Sequence, residues 1–195
     1  MGDLAQGGRG ADRIEDTFHS LARVAAHVIH GAESASVTLV GADGAMSTLA
    51  NTSALAQDMD LVQLRCNQGP CLQAATAAQF TAILVSDLQT ETRWPAITAA
   101  GSAATARSVL SASLFAGPRP GVGDVQQAVG SLNIYASAAG AFSGSERDPV
   151  LLLALYAAMA VAATKAIGDA DPKIAQLDAA IANRSVIGQA QGILM

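Results

Sequence analysis

Ala35-Ser36-Val37-Thr38-Leu39-Val40-Gly41-Ala42-Asp43-Gly44-Ala45-Met46-Ser47-Thr48-Leu49-Ala50-Asn51-Thr52 reads as a strand, a tight turn and a returning strand. Ala35–Val40 carries apolar residues at Val37, Leu39 and Val40. Gly41-Ala42-Asp43-Gly44 has turn chemistry, because glycine reaches positive φ without a Cβ clash and aspartate bonds to nearby backbone. Met46–Thr52 then returns as the second strand of a hairpin. A hairpin inside the chain favours a mainly antiparallel sheet.

On the N-terminal side of the hairpin, Asp12 to Gly31 predicts a helix. Ile14, Phe18, Leu21, Ala25 and Val28 are spaced 4-3-4-3 and draw one apolar stripe. Gly31 is a natural C-terminal stop. Residues 1–11, rich in glycine and polar side chains, read as a disordered leader. On the C-terminal side, Ala54 to Leu64 is helical. Cys66-Asn67-Gln68-Gly69-Pro70-Cys71 is a break, with a helix restarting at Pro70. Phe80–Val85 is a third strand, Ser86–Arg93 a loop, and Trp94-Pro95 opens a helix to about Ala104. Ser108–Phe115 and Val129–Ala136 are two further strands joined by a long connection through Gly117–Gly123. Ser143-Gly144-Ser145 caps a helix from about Ser145 to Ile167, and Asp171-Pro172 opens a last helix. Helices gathered on such a sheet make an α+β fold.

Composition sets limits on function. The chain has 195 residues, 51% of them apolar, enough for one sizeable core with an appendage. Aromatics are only 4%, so small side chains do most of the packing. A net charge of −5 argues against a nucleic-acid footprint, which takes its affinity from Lys and Arg. No basic-then-apolar start resembles a secretory signal. The apolar stretch Val150–Ala163 falls short of the ~20 residues a bilayer span needs. The two cysteines therefore read as free thiols in a reducing, cytoplasmic setting, with no membrane partner.

Six stretches in order then carry a family resemblance: Asn67-Gln68-Gly69-Pro70-Cys71, Ser86-Asp87-Leu88, Arg93-Trp94-Pro95, Arg107-Ser108-Val109-Leu110-Ser111, Gly130-Ser131-Leu132-Asn133-Ile134-Tyr135 and Ala141-Phe142. Together, over residues 12–167, they resemble the GAF domains of actinobacterial GAF–ANTAR regulators. The tail Asn183-Arg184-Ser185-Val186-Ile187-Gly188-Gln189-Ala190-Gln191-Gly192-Ile193-Leu194-Met195 resembles the start of the first ANTAR helix. The resemblance implies a central antiparallel sheet of five or six strands with flanking helices, a linker helix, and the opening of a three-helix ANTAR module over residues 172–195. It also implies a sensor controlling an output that binds hairpin RNA and relieves transcription termination, with Arg184 as an RNA contact. ANTAR modules have two further helices, and from Asp171 onward the only cations here are Lys173 and Arg184. RNA binding is thus expected only of a complete module.

Candidate chemistry is sparse. Cys66 and Cys71 lack the second ligand pair a zinc site needs. A thiol near a helix start can be reactive, but Cys71 equally reads as a buried small side chain. Trp94, the only tryptophan, either walls a ligand cavity or caps the core at a helix start. Cys71 and Trp94 are the two candidate ligand-binding residues. His27 and His30 near a helix C-terminus suit the helix dipole better than haem. No cofactor, metal or catalytic constellation is expected, and the chain is read as a non-enzyme.

Two further readings compete with the sensor. GAF-fold reductases of free methionine sulfoxide use cysteines around a similar pocket, and a ligand-free dimerisation or interaction domain suits the small-residue composition. The first and last GAF helices are expected to form a four-helix bundle across a two-fold axis, making a homodimer. Packing of the first-helix stripe on the domain's own sheet is the alternative for that element.

Overall fold

The computed structural model describes residues 4–41, 43–100, 106–115 and 128–169. The Gly117–Gly123 connection, the last helix and Arg184 lie outside these described residues, as do residues 1–3.

The opening hairpin forms as its sequence dictates. Strands β1 (Ser34–Val40) and β2 (Met46–Asn51) pair antiparallel. Gly44 takes φ 81°, and Asp43 Oδ1 accepts the Ala45 N–H at 2.9 Å, closing the turn. Strands β3 (Ala82–Val85), β4 (Ser108–Leu114) and β5 (Gly130–Ala136) complete a five-stranded sheet in the order β2-β1-β5-β4-β3, with every pair antiparallel. The α+β expectation of five or six antiparallel strands holds.

Helices cover both faces of the sheet. Helices α1 (Leu4–Val28) and α5 (Arg147–Asp169) pack on one face and on each other. Helices α2 (Ala54–Cys66) and α3 (Pro70–Ala75) cover the other. A short α4 (Pro95–Ala99) packs beside α2. The break between α2 and α3 has a clear physical cause. Asn67 is left-handed at φ 48°, Gly69 sits at φ 131°, and Pro70 starts α3 at the position where its missing N–H costs nothing.

Two expectations need correction. Residues 4–11, expected in a disordered leader, are helical backbone continuing α1. Extension of a formed helix adds one bond per residue fixed and avoids the cost of a new nucleus. The buried line of α1 runs through Phe18, Ala22, Ala25 and Ile29. Val28, assigned to the apolar stripe, is 59% exposed, because the helical period turns it away once Ala22 and Ile29 take the core. Helix α4 spans Pro95–Ala99 with Ala100 as its cap, and the rest of the helix expected to about Ala104 lies outside the described residues. Gly31 does terminate the first helical segment, at φ 78°, with Ala141 O 2.5 Å from where a Cβ would sit.

The two faces of the sheet differ in chemistry. Toward α1 and α5, Ala35, Val37, Leu110, Leu132 and Ile134 join a continuous apolar core. Toward α2 and α3, the alternate positions are Ser34, Ser36, Thr38, Ser111, Ser131, Asn133 and Tyr135, all buried.

Candidate functional site

Period-2 alternation puts the polar side chains of three central strands on one face. Cross-strand pairing then aligns them in rows. Ser36 pairs with Asn133 and Asn133 with Ser111. Thr38 pairs with Ser131 and Ser131 with Ser113. A sequence alternating in this way normally turns its polar side to water. Here α2 and α3 cover it, so each polar atom must find a partner or carry a cost.

From α2, Asp60 and Gln63 face this layer three residues apart, on one side of the helix. Tyr135 Oη donates to Asp60 Oδ1, and Thr48 Oγ1 donates to Asp60 Oδ2 at 2.8 Å. Gln63 Nε2 donates to Tyr135 Oη at 3.0 Å, while Gln63 Oε1 accepts the Cys71 N–H at 2.8 Å. Gln63 thereby ties the start of α3 to the sheet. A Cβ at Gly69 beside it would lie 2.7 Å from Ile97 Cδ1 and nearer still to the Gln63 amide oxygen, so one of these side chains would have to shift.

Cys71 sits at the centre of the layer. Its Sγ lies 3.3 Å from Ser131 Oγ, 3.6 Å from Thr38 Oγ1, and 3.3 Å from Asn133 Nδ2, which donates to it. Burial, then the neighbouring Asp60 charge, pushes its thiol up to about 12. A thiol so held is neutral and a poor nucleophile. Burial likewise raises Asp60 to about 6 against the opposing pull of Tyr135, Ser36 and Thr48, and it carries Tyr135 well above its ordinary value.

Two members of the layer have no partner: Ser111 Oγ and Asn133 Oδ1. Both residues are fully buried. An unsatisfied buried polar group costs about 1–3 kcal/mol. The other serines of β4 are satisfied: Ser108 donates to Ser86 and Ala138 carbonyls, and Ser113 to the Thr81 carbonyl. Among the described residues, two of the three orphaned buried side-chain atoms thus sit at the centre of the polar face, and the third is Ser47 Oγ on the edge strand β2.

Of the two residues named from sequence, Cys71 lies in this layer. Trp94 lies in the adjoining apolar cluster with Val85, Leu88, Ile97 and Tyr135, 8% exposed, with the Arg93 guanidinium 4.4 Å above its ring. Cys66 is half-buried and unpaired with Cys71 as a disulfide, its thiol 3.7 Å from the Ala96 carbonyl. The sequence reading missed Asp60, Gln63, Ser111 and the role of Asn133. The available signal was the repeated Ser/Thr/Asn alternation in β1, β4 and β5, together with an acid and an amide three residues apart on α2.

Outside the layer, Arg107 and Asp87 form an ion pair that fixes the ends of β3 and β4, and it holds the Asp87 carboxyl below its usual range. An open groove of about 610 Å³ lies between α1 and the end of β2, lined by exposed side chains including His19 and Arg23. It gathers no buried polar group, whereas the layer under α2 and α3 does. Among the described residues no cluster of three or more His, Cys, Asp or Glu could hold a metal ion, and no helix is long and apolar enough to cross a membrane.

Solved structures share this architecture. GAF3 of Slr1393 from Synechocystis sp. PCC6803, in its photoproduct state, superposes with a TM-score of 0.59 at 14% identity, over 81% of this chain and 99% of that one. A domain of a putative two-component sensor histidine kinase protein from Sinorhizobium meliloti 1021 gives 0.54 at 16% identity, over 78% and 92%. A type II free methionine-R-sulfoxide reductase from Thermoplasma acidophilum gives 0.57 at 12% identity, over 78% and 94%. The fold is that of GAF domains. No family model matches the chain, and no curated protein matches it.

Proposed function

We propose that this chain is a cytoplasmic signal-transduction module. Its GAF-fold domain receives a small molecule in the layer between the polar face of the sheet and α2–α3. Its state passes through α1 and α5 to an ANTAR-type output. That output binds hairpin RNA and relieves transcription termination, with Arg184 among its RNA contacts. One observation carries the sensor half: two fully buried polar groups stand without partners at the centre of a face that α2 and α3 cover. Buried polar atoms of this kind call for a partner, which a bound small molecule would supply. The output half rests on the resemblance of residues 183–195 to the first ANTAR helix.

Reduction of free methionine sulfoxide is the second reading, favoured by the fold of the Thermoplasma acidophilum reductase. The burial that pushes Cys71 up to about 12 disfavours it, because the nucleophile in such chemistry is the thiolate. Turnover of free methionine sulfoxide by the purified chain would establish the enzyme reading against ours. The sensor reading is tested on a protein carrying the whole three-helix output. Hairpin-RNA affinity is measured with and without residues 12–167, and for Arg184→Glu. Coupling predicts that removing the sensor changes the affinity, and that the charge reversal weakens binding at least tenfold. Equal affinity with and without the sensor overturns the proposal.

A further inference from the structure

We infer that the layer under α2 and α3 takes a small uncharged molecule bearing a carboxamide or lactam edge, held between Ser111 and Asn133. This rests on the sensor reading above and names the chemistry of its ligand.

Position comes first. Ser111 and Asn133 are directly paired on adjacent antiparallel strands, so their side chains leave the same face of the sheet. Such pairs have Cβ atoms about 5 Å apart, a span that one small planar group can bridge. Both side chains are fully buried, and each presents an atom with no partner.

The pattern of the unpartnered atoms sets the chemistry. One end of the Asn133 amide is engaged by Ser36 Oγ at 3.2 Å, Thr38 Oγ1 at 3.3 Å and Cys71 Sγ. Hydroxyls and thiols can donate or accept, so rotating the amide by half a turn leaves that end satisfied. The other end faces away from these groups in either orientation. With its oxygen there, it accepts from a guest N–H while Ser111 donates to the guest carbonyl. With its nitrogen there, it donates to the guest carbonyl while Ser111 accepts from the guest N–H. A carboxamide or lactam edge, with C=O beside N–H, matches both cases.

Charge excludes the common alternatives. The ionisable groups of the layer are Asp60, Cys71 and Tyr135. Among the described residues Arg23, Arg65, Arg93, Arg147 and the three histidines are exposed, and Arg107 is paired with Asp87. An anion would enter beside the Asp60 carboxyl, and no cation among the described side chains lies in the layer to meet it. A cation would find both Asp60 oxygens already holding hydroxyl donors. The atoms that lack partners are neutral, and so is the guest they fit.

The test titrates the full chain with acetamide, 2-pyrrolidinone, nicotinamide and uracil, each followed by protein NMR, with acetate and nicotinate as charged counterparts. At least one neutral probe should saturate, and its charged counterpart should bind at least tenfold more weakly. Ser111→Ala should lower that affinity at least tenfold without lowering the melting temperature of the empty protein, because it removes an unsatisfied group. A serine with a merely structural role would give the reverse. If no neutral probe saturates up to its solubility, the guest of Ser111 and Asn133 is water only and the inference fails. Native mass spectrometry of the freshly purified chain separates that failure from failure of the sensor reading. A tightly held charged molecule overturns the carboxamide assignment and leaves the sensor standing. No bound molecule together with no probe binding overturns both.

Discussion

Asp60 shows what a single buried group does to the whole fold. Its carboxyl rises from 3.8 to about 6 because burial outweighs the hydroxyls of Tyr135, Ser36 and Thr48. The folded state therefore keeps a proton that the unfolded state releases. The stability this contributes is fully present below pH 3.8 and lost as pH rises through about 6, a gap of about 3 kcal/mol. Asp87, Glu91 and Glu146 are lowered and act with the opposite sign, but they are common to wild type and variant. Urea unfolding of wild type and Asp60→Asn from pH 3.5 to 7.5 should show the variant gaining on wild type by about 3 kcal/mol across the window. Parallel profiles would mean that Asp60 is solvated. Gly69 is the second residue of this kind. At φ 131°, with Ile97 and Gln63 against the Cβ position, Gly69→Ala should cost more than about 2 kcal/mol in chemical unfolding. A loss under half that would show that α3 shifts freely. The sequence marks Gly69 plainly, through the Gly-Pro break. Asp60 it hides, because the hydroxyl that makes its burial tolerable belongs to Tyr135, 75 residues away.

At the scale of elements, legibility followed how local the cause was. The β1–β2 hairpin was readable because its turn residues bond within themselves. The α2–α3 break was readable for the same reason: Asn67, Gly69 and Pro70 each impose a backbone geometry alone. The start of α5 is equally local. Ser143 Oγ accepts the Ser145 N–H at 3.2 Å, and Glu146 Oε2 accepts the Ser143 N–H at 2.7 Å, a reciprocal cap ahead of the helix. Ser143→Ala should destabilise the domain by about 1 kcal/mol in thermal or urea unfolding. No measurable loss would mean that the first turn of α5 is held by Val150 packing instead. What could not be read was which face of each element turns inward. Ser36, Thr38, Ser131 and Asn133 have the alternation of a wetted face, and only the cover of α2 and α3 makes them core. The stripe of α1 was similarly displaced. Alanine is apolar enough to fit either side of a helix, so Ala22 and Ala25 do not identify the buried line until the sheet is present.

Across the described residues, α1 and α5 leave an apolar surface open. Val24 and Val28 of α1 and Leu152, Leu155, Tyr156 and Met159 of α5 are each between 47% and 59% exposed. The two helices lie side by side, so these six residues form a common face across the sheet from the polar layer. An apolar patch of this kind on adjacent helices fits self-association better than solvent. A two-fold axis along α1 and α5 would bury it as a four-helix bundle. The strands link the two sides directly. In β1, Ala35 and Val37 touch the helical core while Ser36 and Thr38 enter the polar layer. A ligand that moves β1 therefore moves the seat of α1, provided it binds two arrangements with different affinity. Light scattering coupled to size exclusion should find a homodimer. Leu155→Glu combined with Met159→Glu should convert it to a folded monomer, since neither side chain is buried within the chain itself. Leu61→Glu provides the control. Leu61 is 40% exposed on α2, across the sheet from α1 and α5, and its replacement should leave the dimer intact. Val24→Glu combined with Val28→Glu should also break the dimer, since both side chains are about half exposed. A wild-type chain that stays monomeric at the highest soluble concentration would remove this axis, and with it the proposed route from the polar layer to the output helix.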